Sequence, residues 1–165
     1  MKRKIGDLFL AVMVAVSFLA LAGALPAQDK PADDMQIVLE KARADKKLLV
    51  AENMQLTGAE AKAFWPVYER YQDELFLLRM RTVKLIKDYG DAYDTMTDAT
   101  AKKLLDEYMT IEGLRPKLRQ AYLPKFGNAL PGAKLLRYYQ IENKINIAID
   151  YELAAKIPLI KTDGK

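Results

Sequence analysis

From residue 64 onward, Phe64, Tyr68, Tyr71, Leu75, Leu78, Thr82, Leu85 and Tyr89 follow one another at alternating steps of four and three residues. That alternation is the inner seam of a packed helix, with Thr82 its one polar member. Trp65, Phe76, Val83 and Ile86 broaden the seam into the wider face of a globular bundle. Ahead of it, Leu56-Thr57-Gly58-Ala59-Glu60 places a threonine three residues before a glutamate, the pattern of a capping box. The pattern predicts a helix over 58–89, about 48 Å long at 1.5 Å per residue.

The same reading applied outward predicts three more helices. One spans 35–54, capped by Asp33 or Asp34, with Val38, Ala42 and Leu49 on a stripe that Asp45-Lys46 interrupts. The segment Gly90–Met96 reads as a turn, and Thr97 or Asp98 caps a helix over 98–126. Its apolar face is Ala101, Leu104, Tyr108, Ile111, Leu118 and Tyr122, and Gly127-Asn128 is its stop. Pro131 suits the first position of a last helix that runs to about Ile157, where Pro158 ends it. Tyr138, Ile141, Ile145, Ala148, Leu135, Tyr139, Ile149 and Leu153 make that helix apolar nearly all round, as in a buried or partner-facing element. No strand-like alternation and no fixed-period repeat occurs. The fold class is all-α: four helices, with a long antiparallel helical hairpin between flanking N- and C-terminal helices.

Three prolines fall inside the predicted hairpin. Each removes one helical hydrogen bond and crowds the carbonyl four residues back. Pro66 frees the carbonyl of Lys62, Pro116 that of Glu112, and Pro124 that of Gln120. If the chain turns near residue 93, Pro66 faces residue 120, between Pro116 and Pro124. Both helices then bend at one level, giving a curved hairpin.

The N-terminus changes the picture of location. MKRK precedes the apolar run LFLAVMVAVSFLALAGAL, and small-residue sites follow at Ala22-Gly23-Ala24 and Leu25-Pro26-Ala27. This is the plan of a cleaved export signal over residues 1–27, with Ala24 and Ala27 both open as the cleavage point. The remaining chain reads as a loose N-terminus over 28–34, one helical domain over 35–158 and a tail over 159–165. Of 26 basic and 22 acidic residues, the signal holds Lys2, Arg3, Lys4 and Asp7, which leaves a net charge of about +2. That balance gives no electrostatic footprint for nucleic acid.

Candidate chemistry is sparse. The chain has no cysteine and no histidine, so disulfides, thiolate nucleophiles and imidazole bases or ligands are excluded. Its only serine, Ser17, lies in the export segment. Asp73-Glu74 and Asp106-Glu107 are adjacent on helices, so their carboxylates diverge. Glu112, Arg115 and Arg119 read as a structural charge cluster. No phosphate loop or calcium-loop spacing occurs, and no cofactor or metal is expected. Nine tyrosines stand out; most sit at seam positions, and the others, with Trp65, Phe76 and methionines, suit an adaptable apolar surface.

An export signal, an LT motif opening a long helix, a helical hairpin and a second related motif at Leu130-Pro131-Gly132-Ala133-Lys134 resemble the Spy/CpxP-like periplasmic proteins. Their hallmark is L-T-x-x-Q. Here Leu56 and Thr57 match and Glu60 stands for the glutamine, while the second copy keeps only Leu130. The resemblance covers roughly 52–155. It implies a periplasmic, ATP-independent chaperone or envelope-stress protein, with a cradle whose concave face is apolar and basic. Histidine's absence sets the chain apart from the metal-responsive members. By composition, Phe76, Arg79, Met80, Arg81 and Lys84 are the candidate protein-binding face. The expected function is non-enzymatic binding of unfolded or regulatory envelope proteins, with a homodimer left open and no stable membrane insertion after cleavage. The alternatives are a regulatory partner of one envelope sensor system and a structural envelope protein acting through helix-mediated oligomers.

Overall fold

The computed structural model describes residues 31–161; the expected export segment lies outside them. It consists of helix α1 (Pro31–Met54), α2 (Gly58–Ala92), a 3-10 turn (Tyr93–Thr95), α3 (Asp98–Ala129) and α4 (Gly132–Lys156). Among the described residues there is no strand, and the all-α class holds.

The helix ends follow local chemistry. α1 begins at Pro31, four residues ahead of the expected start. Proline is pre-set for a first helical position, and Asp33 and Asp34 then lie in the first turn, where the helix dipole favours negative charge. At its other end, Gln55 adopts φ 48°, in the left-handed region. α2 opens with the expected box: Glu60 N–H donates to Thr57 Oγ1 at 3.3 Å, and Thr57 N–H donates to Glu60 Oε2 at 2.7 Å. Two expected stops are corrected. α2 passes through Gly90 to Ala92, and α3 passes through Gly127-Asn128 to Ala129. A glycine ends a helix by turning left-handed, and none of the described glycines has a positive φ. α3 ends instead ahead of Pro131, which disfavours helical geometry in the residue before it: Leu130 is extended, at φ −132° and ψ 142°. Thr97 caps α3 as expected, accepting from Thr100 N–H at 3.2 Å.

The helical span expected over 35–158 comprises two compact units. One joins α1 and the chain to Leu56 with Ala133–Lys156. Its core includes Val50, Met54, Tyr138 and Ile145. Through it runs a buried ion pair: Lys46 Nζ meets Glu142 Oε1 at 2.5 Å, with side chains 6% and 2% exposed. Asn146 Nδ2 also donates to Glu142 Oε1, at 3.3 Å. The charge that interrupted the α1 stripe is thus an inner residue with its partner on α4. The same helix caps the end of α1. Arg137 Nε donates to the Asn53 carbonyl at 2.6 Å and Lys134 Nζ to the Gln55 carbonyl at 3.0 Å. Cations at the last carbonyls complement the helix dipole.

The other unit is the α2/α3 pair with the chain from Ile157 onward. Phe64, Tyr68, Tyr71 and Leu75 are buried, while Leu78, Thr82, Leu85 and Tyr89 continue the seam half-buried. Phe64 packs on Phe126 with ring centroids 5.6 Å apart, and Tyr71 on Tyr122 at 5.3 Å. Such aromatic pairs contribute about 0.5–1.5 kcal/mol each beyond the area they bury. This register corrects the expected pairing. Pro66 lies between Phe64 and Tyr71, and so faces the Tyr122–Phe126 stretch and Pro124, not residue 120. All three prolines sit inside helices and are exposed, as are Lys62, Glu112 and Gln120, the residues four positions before them.

Two measurements test these contacts. Gln55→Gly should raise stability by about 1 kcal/mol, because only glycine takes a left-handed φ without steric cost; a melting temperature that stays put or falls would refute this. Lys46→Met should cost about 3–5 kcal/mol by stranding Glu142, whereas Lys46→Met with Glu142→Leu should cost less than either single change. Denaturant unfolding of all three variants gives the coupling.

Candidate protein-binding surface

The α3 face differs from the expected one. Ile111, Tyr122 and Phe126 are buried, with Leu104, Leu114 and Leu118 half-buried, but Ala101 and Tyr108 are exposed. Flanking the buried line of α3 are Arg115 and, at the half-exposed rim, Glu107, which hydrophobic patterning skips. Arg81 grips Glu107 through two parallel bonds, Nε to Oε1 and Nη2 to Oε2, both 2.9 Å. Arg115 Nη2 donates to Thr82 Oγ1 at 3.1 Å, and its Nε lies 3.5 Å from Glu112 Oε1. The polar member of the α2 seam therefore accepts from the guanidinium opposite. Tyr122 donates to Glu74 Oε1 at 2.6 Å.

These contacts set the charge states. The hydrogen bond from Arg81 holds the Glu107 carboxyl below its ordinary range, and the same bond raises Arg81. Burial, then the bond to Glu74, pushes the Tyr122 phenol up to about 12.

Turning Glu107 toward Arg81 leaves the next residue outside, since successive helical residues point roughly 100° apart. Leu105, Tyr108 and Met109 are 58%, 50% and 60% exposed, on one line at i, i+3 and i+4. Leu77 on α2 and Leu123 on α3 are also largely exposed. Of the five residues proposed from composition, Phe76, Met80 and Lys84 share one line on α2 at steps of four. Phe76 and Met80 are half-buried, and Lys84 is exposed and bonded to Asp88 at 2.5 Å. Arg81 is turned toward Glu107. Arg79, four residues after buried Leu75 and three before Thr82, flanks the seam. The five do not form one face, and Arg81 and Lys84 already have carboxylate partners. The period of α3 alone places Tyr108 in the core and does not reveal this line, because it carries no sign of the turn of Glu107 toward Arg81.

The tyrosines divide by position. Tyr68, Tyr71, Tyr122 and Tyr138 are buried, Tyr89, Tyr93 and Tyr139 half-buried, and Tyr108 and Tyr151 exposed. Among the described residues no acidic group has the grouping to hold a metal ion, and no helix is long and apolar enough to cross a membrane.

The Tyr122 phenol gives a pH test. Its folded value lies above the ordinary 10, so the folded chain holds that proton more tightly. Its contribution is complete below pH 10 and fades as pH rises from there through 12. Tyr122→Phe should therefore lose stability less steeply than the unmodified chain over that window. Equal slopes in denaturant melts at stepped pH would refute the assignment.

No protein-family model, curated protein or solved structure matches the chain.

Proposed function

We propose that this is a non-enzymatic, protein-binding helical protein, exported to the periplasm, that holds unfolded or regulatory envelope proteins without nucleotide. The observation that carries the reading is the exposed apolar line Leu105, Tyr108 and Met109, with Leu77 and Leu123 on the same helix pair. Large side chains left in water on a well-packed scaffold gain free energy from any apolar segment that covers them. Methionine's flexible thioether and tyrosine's mixed ring and hydroxyl tolerate many partners. Because Arg81 and Lys84 are ion-paired, the attraction rests more on apolar contact than on charge. The location rests on the export pattern at the N-terminus, and the resemblance to Spy/CpxP-like proteins points the same way. In this reading α2 and α3 form a long antiparallel hairpin bent near Pro66 and Pro124, which curves the surface offered to a client.

The test is light scattering from several unrelated denatured proteins diluted into buffer without ATP. The mature protein should suppress aggregation near an equimolar ratio. Tyr108→Ser with Met109→Ser should weaken suppression severalfold with an unchanged melting temperature, and Phe76→Ala with Met80→Ala should weaken it less. No suppression of any client would remove the broad-binding reading and leave a dedicated regulatory partner, which capture from envelope extract would identify as a single saturable protein.

A further inference from the structure

Of the tail expected over 159–165, the structure describes 159–161; together with Pro158 these residues are strapped to the end of the α2/α3 unit. Tyr89 donates its hydroxyl to the Pro158 carbonyl at 2.7 Å, and Tyr93 donates to the Leu159 carbonyl at 3.0 Å. Lys161 Nζ meets Asp94 Oδ1 at 3.0 Å and lies 5.0 Å from the centre of the Tyr93 ring. The two phenols are four residues apart, one turn along the chain, and their rings meet edge to face at 5.7 Å.

The chemistry of this contact is that of peptide recognition. Two fixed donors read two successive backbone carbonyls, and a carboxylate beside an aromatic face reads one cation. The side chain between them takes no part: Leu159 is 91% exposed. Pro158 has no N–H to offer and lies outside any helix or strand, so its carbonyl is presented without cost to a regular element. We propose that Tyr89, Tyr93 and Asp94 form a docking site for an extended peptide, and that Ile157–Lys161 occupies it in cis as a removable strap. The partner is an extended segment with two successive free carbonyls followed, two residues after the second, by a lysine. The strap is held at the surface, with Lys161 70% and Asp94 80% exposed, so a competing peptide reaches the same donors without unfolding the helices. This site is distinct from the Leu105–Met109 line and does not rest on the chaperone reading.

The probe is the capped peptide Ile-Pro-Leu-Ile-Lys, titrated into the full mature protein and followed by NMR at Tyr89, Tyr93 and Asp94. A tethered strap competes at an effective concentration of about millimolar, so the titration extends through that range. The unmodified chain should bind weakly. Lys161→Glu, which repels the strap from Asp94 and leaves the receptor residues intact, should bind the peptide at least about fivefold more tightly. Adding Tyr89→Phe and Tyr93→Phe, which keep both rings, should abolish that gain. Equal binding by the unmodified and Lys161→Glu chains, no binding by either, or a gain that survives loss of both hydroxyls would each overturn the proposal.

Discussion

A charge that falls on the inner face of a long helix must be met at its own level by the helix opposite. That constraint acts in full on the buried Lys46–Glu142 pair, while the α2/α3 unit meets its charges at the rim of the interface. α2 is 35 residues long and α3 is 32, so their faces meet over many turns, and aromatic packing alone would tolerate a slip by one turn. The polar contacts would not. Arg81 reaches Glu107 with both arms of its guanidinium only in one register, and Arg115 finds Thr82 in the same one. A bidentate pair adds geometric selection to its modest energy, because two parallel bonds fail together when either helix slides. Lys46 and Glu142 act likewise in the other unit at greater cost, being nearly dehydrated.

This explains what could and could not be read along the chain. The α2 seam was legible from Phe64 to Tyr89 because its members are apolar apart from one threonine, and a period of three and four needs no further information. The α3 face was only half legible. Its packed line of Leu104, Ile111, Leu118 and Tyr122 is flanked by Glu107 and Arg115, and a rule that sends charge outward must misplace Tyr108 into the core. Lys46 failed the same rule on α1. The information was in the sequence, but as a relation between residues 26, 33 and 96 positions apart, and no local window contains it.

Helix termini repeat the lesson at short range. Thr57 with Glu60, and Thr97, were readable because a cap is a contact between residues three apart. Gly90 and Gly127 were misread because glycine permits a left-handed turn without requiring one. Proline biases the residue before it away from the helix, a bias that prevails at Pro131 and is overridden at Pro66, Pro116 and Pro124, which lie inside helices. At Pro131 the residue before it, Leu130, is extended and α3 ends.

The candidate surface is the other side of the same accounting. With Glu107 turned toward Arg81 at the rim of the α2/α3 contact, the helical step carries Tyr108 outward and sets Leu105 and Met109 beside it. The exposed apolar line is therefore coupled to the ion pair that fixes the register. Replacing Glu107 with leucine would satisfy the hydrophobic pattern of α3 better. It would also leave the half-exposed Arg81 guanidinium without its carboxylate, at a modest cost in energy, and remove a bidentate contact that favours one register over its neighbours. A slip by one turn would keep the aromatic seam packed while moving the exposed line along the pair. The position of the surface thus depends on a polar contact that lies outside it, and substitutions that leave Leu105, Tyr108 and Met109 untouched can still displace them.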